Sequence, residues 1–192
     1  MEVAGASWDW RSCPLLVEYL ESALDENWVI PPQRFAIVEK GIYRSGYPNQ
    51  QSEQFLEKLG LRSIVYLCKE PVRDWNRDFI RRNGIQLFHL GSDGNKEPFL
   101  TVPLELIQES LSRLLDTRNH PILIHCNKGT HRTGCLVGCL RRVQRWSLTS
   151  ILGEYQRFAG GRPRLIDQQS IELFDPRGID YDPQFAPSWL QT

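Results

Sequence analysis

The stretch His125-Cys-Asn-Lys-Gly-Thr-His-Arg-Thr-Gly134 decides both the fold and the chemistry of this 192-residue chain. An apolar run, Pro121-Ile-Leu-Ile124, leads into it with the composition of a buried strand, and Thr133-Gly-Cys-Leu-Val-Gly-Cys-Leu140 leads out of it as a helix. Strand, tight loop and helix in that order aim backbone N–H groups and the positive end of a helix at an anion. Cys126 stands where the strand ends, and Arg132 follows after five residues that include Gly129. A thiol at such a helix start is favoured as thiolate. An arginine fork matches a phosphoryl group in both charge and geometry. The pattern points to nucleophilic attack on phosphorus through a cysteinyl-phosphate intermediate. A buried core cysteine or a sulfurtransferase loop accounts less well for a Cys-x5-Arg-Thr frame preceded by His125.

Outward from the loop, strands and helices alternate. Trp28 to Val38 reads as an extended edge segment and Ile42-Tyr-Arg44 as a strand entering the turn Ser45-Gly-Tyr-Pro48. Gln51 to Leu59 is a helix stopped by Gly60, Arg62 to Leu67 a buried strand, Asp74 to Arg82 a helix, and Ile85 to Leu90 the next strand. Gly91 to Glu97 is a polar loop and Pro103 to Leu115 a helix. Beyond the catalytic helix come Leu148 to Phe158 and Asp167 to Phe174, the latter with Asp167 as its cap. The pattern predicts an α/β fold with a short, parallel-rich central sheet flanked by helices. The expected organisation is an N-terminal extension over 1–27 with a short helix from Pro14 to Glu26, a catalytic domain over 28–175 and a C-terminal tail over 176–192 that forms a loosely packed strap.

Charge narrows the ligand. Lys and Arg total 23 against 23 Asp and Glu, yet between Arg118 and Arg164 nine basic residues face a single acid, Glu154. A basic segment around a phosphate loop points to a multiply charged anionic small molecule. Arg141, Arg142 and Arg145 read as the solvated face of a helix, two to three turns past the loop. Aromatic interleaving is thin, which disfavours nucleic acid. No apolar run approaches membrane-spanning length and no secretory signal is evident, so the expectation is a soluble cytoplasmic protein without a membrane partner, the nucleus being compatible. The five cysteines at 13, 68, 126, 135 and 139 lack zinc spacing and suit a reducing compartment. No metal or cofactor is expected.

From Ile42 to Phe174 the sequence resembles the plant-and-fungal atypical dual-specificity phosphatases, a branch of the cysteine-based phosphatases. The resemblance rests on Ile42-Tyr-Arg-Ser-Gly-Tyr-Pro-Asn49, Leu61 to Cys68, Asn95-Lys-Glu-Pro-Phe99, Asn119 to Cys126, Glu154-Tyr-Gln-Arg-Phe158 and the loop itself, including Lys128 and His131. It implies the cysteine-phosphatase fold and an inositol pyrophosphate substrate cleaved at the β-phosphate, especially at the 5-position. It implies Cys126 as nucleophile, Arg132 as phosphate ligand, and a cradle of N–H groups from Asn127 through Lys128, Gly129, Thr130 and His131 to Arg132. Thr133 would hydrogen bond the thiolate, His125 would organise the loop, and the Lys128 and His131 side chains would face substrate. Asp93 is the candidate general acid, although the loop around it departs from the Trp-Pro-Asp pattern of tyrosine phosphatases; an Asp-Gly turn is its other reading. Lys96, Arg157, Arg162 and Arg164 are candidates for outlying phosphates. Cys68 reads as a structural cysteine, with a protective disulfide to oxidised Cys126 as the alternative. Two further functions stay open: a protein tyrosine, dual-specificity or phosphoinositide phosphatase, and a non-catalytic phosphate-binding module.

Overall fold

The computed structural model describes residues 29–94 and 102–190, nearly all of them in a unit that begins at Pro31. Its centre is a five-stranded sheet of order β1-β2-β5-β3-β4. The strands are β1 (Ala36–Glu39), β2 (Ile42–Ser45), β3 (Ser63–Cys68), β4 (Gln86–Ser92) and β5 (Ile122–His125). β1 pairs antiparallel with β2, and every other pairing is parallel. All residues of β3 and β5 are buried, because neighbours cover both edges and helices cover the faces. That double burial explains their unbroken apolar runs. β4 runs two residues past the expected Leu90, so Gly91 and Ser92 belong to the strand rather than to a loop.

Six α-helices accompany the sheet in the described residues: α1 (Glu53–Leu59), α2 (Asp74–Arg82), α3 (Leu104–Leu114), α4 (His131–Val143), α5 (Leu148–Ala159) and α6 (Leu165–Leu173). The loop from β5 feeds α4, and α4 packs against α3, α5 and α6. Ile171 sits over Gly138, where a Cβ would lie 2.5 Å from its Cδ1. Val65, Leu123, Ile124, Leu140 and Ile151 form the centre of the core.

Two expectations are corrected here. Arg141 is not on a solvated face. Its guanidinium is buried, bonds both carboxylate oxygens of Glu154 at 2.8 and 3.1 Å and lies 4.1 Å from the Trp146 ring centroid. Asp167 does not cap α6, which starts two residues earlier at Leu165. Its buried carboxylate accepts a 2.6 Å hydrogen bond from the Tyr155 hydroxyl. Both side chains find partners on α5 that sequence distance conceals. The segment after Asp175 forms three short 3-10 turns, and Thr117 donates a hydrogen bond to the Phe185 carbonyl at 2.8 Å while Arg118 stacks on that ring. The expected helix over 14–26 lies outside the described residues.

Leu123→Ala empties a fully buried position on the central strand. Urea unfolding is expected to show a loss of about 2–5 kcal/mol.

Candidate active site

At the carboxyl end of β5 the chain leaves the sheet at His125 and re-enters a helix at His131. Gly129 makes the turn at φ +68, and a Cβ there would lie 2.5 Å from the Gly46 nitrogen, so no side chain fits. The loop consequently presses against the end of β2. Three successive carbonyls point to this outer side, and that of Thr130 turns into the first turn of α4. Asn127 O accepts from the Tyr47 N–H at 3.0 Å, Lys128 O from Arg34 Nη1 at 3.2 Å, Gly129 O from Arg44 Nη2 at 3.0 Å, and Thr130 O from the Gly134 N–H at 2.8 Å. The N–H groups of Lys128 to Thr133 have no hydrogen-bond acceptor among the described residues. Together with the positive end of α4 they make a cup for an anion around Cys126.

Arg132 leaves the first turn of α4 and donates Nη1 to the carbonyls of Leu67 (3.3 Å) and Ser92 (2.7 Å), at the ends of β3 and β4. This fixes one corner of the fork and leaves its other nitrogens for a phosphoryl group. Thr133 is fully buried, and its hydroxyl has no partner among the described residues. Cys68 is buried and free, like Cys126, Cys135 and Cys139. Burial pushes the Cys68 thiol up, although Arg132 opposes this and the Asn127 N–H points to the sulfur.

A cleft of about 850 Å³ opens over the cup. It brings together Cys126, Asn127, Lys128, Thr130, His131, Arg132 and Asp93 with Arg162 and Arg164. Gly129 and Thr133 lie behind its wall. Arg157 does not line it; the side chain is exposed, 5.1 Å from the Phe158 ring. Lys96 lies outside the described residues. His131 is at the wall, but its Nε2 donates to the Arg162 carbonyl at 2.9 Å, bracing the 160–164 loop against α4. The Arg164 N–H donates to the Tyr155 hydroxyl at 3.1 Å and holds the far end of that loop. Asp93 accepts from Lys69 across an ion pair, so in this arrangement it is an acceptor.

Sequence reading missed Arg34, Lys69, Glu70 and Arg44. Lys69 and Glu70 follow the carboxyl end of β3, where parallel sheets place their ligand crevices, and that signal was available. Arg34 and Arg44 reach the loop across 94 and 85 residues of chain, and no local pattern announces them.

His125 is buried between the rings of Tyr47 and Tyr66, at 5.2 and 5.0 Å, and its Nδ1 has no hydrogen-bond partner among the described residues. Burial holds its imidazole down at about 4, so it is neutral at pH 7 and acts through shape.

Residues 29–192 match the profile of the tyrosine phosphatase family. Over 154 residues the chain is 53% identical to inositol diphosphatase DSP4 of Arabidopsis thaliana, a match that covers 80% of this chain and 78% of that one. Over 148 residues it is 49% identical to inositol diphosphatase SIW14 of Saccharomyces cerevisiae, covering 77% and 53%. Its fold is similar to the solved Siw14 catalytic core with a TM-score of 0.75 at 48% identity, over 78% of this chain and 89% of that chain.

The His125 environment predicts a pH dependence. An unfolded imidazole takes up a proton as pH falls through 6.5, while the folded one stays neutral until about 4. The stability is therefore complete above pH 6.5 and falls across that window by roughly 3 kcal/mol. Urea titrations between pH 7.5 and 4 should show this slope, and His125→Gln should flatten it whatever its stability at pH 7.5.

Proposed function

The chain belongs to the tyrosine phosphatase family, and we propose that it is a cysteine-dependent phosphatase of inositol pyrophosphates. In this reading it removes the β-phosphate of the diphosphate, with 5-diphosphoinositol pentakisphosphate preferred. The observation that carries the reading is the charge of the cleft. Arg34, Lys128, Arg132, Arg162 and Arg164 line it against Glu70 and Asp93, which suits a ligand with many phosphates. The names of the Arabidopsis and yeast relatives support the same substrate class.

Cys126 thiolate attacks the β-phosphorus, the P–O bond to the inner phosphate breaks, and the transferred phosphoryl group sits in the N–H cup with Arg132 across it. In this reading the Thr133 hydroxyl, buried and without a partner among the described residues, turns to hydrogen bond the sulfur as thiolate and as leaving group. Water then hydrolyses the cysteinyl-phosphate. The group expelled in the first step is itself a phosphate, which leaves with little help from an acid. An Asp93 engaged by Lys69 is compatible with that step and poorly suited to expelling an alkoxide.

Single-turnover phosphate release tests this with 5-diphosphoinositol pentakisphosphate, a phosphotyrosine peptide and a phosphoinositide in parallel. The pyrophosphate is expected to react fastest, without inhibition by EDTA. Cys126→Ser should lower the rate by roughly three orders of magnitude or more. A faster tyrosine-peptide reaction would replace this reading with a protein phosphatase, and binding without release would replace it with a phosphate-binding module. Asp93→Asn should slow pyrophosphate cleavage by less than about tenfold.

A further inference from the structure

Arg44 is a charged residue in the middle of a sheet. It lies on β2 between Ala36 of β1 and Ile124 of β5, and it is 1% exposed. No carboxylate forms an ion pair with it among the described residues. Its Nη2 holds the Gly129 carbonyl, its plane lies 3.7 Å from the Phe158 ring centroid, and Nε and Nη1 have no partner among the described residues. A buried, incompletely bonded guanidinium carries a desolvation cost that an apolar residue would not. A position built for stability alone would hold valine or isoleucine.

What the position supplies is a donor and a charge beneath the phosphate cup. We propose that Arg44 is a positioning residue for the phosphatase reaction: by holding the Gly129 carbonyl on the outer side of the loop it keeps the N–H groups turned towards the bound anion. The guanidinium is aimed by the Phe158 ring, whose centroid lies 3.7 Å from its Cζ. The charged groups facing it are Glu154 and Cys126, which favour its cationic form, and Arg141 and Arg157, which oppose it. Burial brings its guanidinium down to about 10, so it remains a cation at neutral pH. The bound phosphoryl group therefore meets a fixed positive charge behind the cup as well as Arg132 at its mouth. Tyr47 N–H and Arg34 hold the two preceding carbonyls, the Arg34 bond at the surface and the Arg44 bond buried.

This inference rests on the cysteine-phosphatase reaction at Cys126 and not on which inositol position is cleaved. The test uses the full chain and no inositol substrate. Orthovanadate affinity reports the cup. The ratio of Cys126 alkylation rates by iodoacetate and iodoacetamide reports whether an anion is still drawn to the thiol. Wild type should bind vanadate and favour the anionic reagent; if it does neither, the assignment of the site fails first. Arg44→Met, folded by circular dichroism, should lose about tenfold or more in vanadate affinity and several-fold in the reagent ratio. Arg44→Lys, which keeps the charge and one donor, should recover part of both. Vanadate affinity and reagent ratio within twofold of wild type in folded Arg44→Met would overturn the proposal. If Arg44→Met does not fold, Phe158→Leu decides. It leaves the arginine in place without its aiming surface, and an unchanged vanadate affinity there would equally overturn it.

Discussion

Every peptide unit carries its N–H and its C=O on opposite sides, and this governs the whole site. A loop that offers its N–H groups to an anion must turn its carbonyls the other way, into the protein. Buried carbonyls need donors. The phosphate cup is therefore only half a structure, and its other half is the segment from Arg34 to Tyr47, which supplies a backbone N–H and two guanidinium groups. The parallel pairing of β2 with β5, register Ser45 to His125, brings that segment alongside the loop. The missing side chain at Gly129 lets the two come within contact distance.

The remaining walls are fixed by polar pairs that bridge elements. His131 ties the start of α4 to the 160–164 loop, Tyr155 ties that loop to Asp167 of α6, and Arg141 ties α4 to Glu154 of α5. Gln144 extends the last of these to Glu39 on the edge strand. The Arg141–Glu154 and Tyr155–Asp167 pairs are at least partly shielded from water, where a hydrogen bond to an ionised group is worth more than at the surface, while the His131 bond lies at the surface. The helices that shape the cleft are thus locked to one another, and the cleft's basic side chains are mounted on a rigid frame.

The fold was legible wherever burial leaves a mark on composition. β3 and β5 are covered on both faces and read as apolar runs; α3 and α5 read through their amphipathic spacing. Cys126 and Arg132 could be read as one candidate site because they stand within seven consecutive residues, and the two line the same cleft. What escaped was everything made by tertiary approach. Asp167 looks like a cap because an acid precedes an apolar run, yet Tyr155 draws it into the interior of α6. Arg141 looks solvated because it stands in a run of arginines, yet Glu154 covers it. Arg44 ends a strand in the sequence with no sign of its role, and its partners Gly129 and Phe158 arrive 85 residues later and beyond.

The cup is built from main chain, and main-chain groups are common to every residue type. The side chain of Lys128 stands exposed on its rim while its amide belongs to its lining. Rim and lining are thereby housed in different parts of the same residue. An exchange of the side chain at 128 changes the rim and leaves the main-chain N–H groups of the cup in place. The surface around the cup is thus free to vary in charge and shape without dismantling the main chain that lines it.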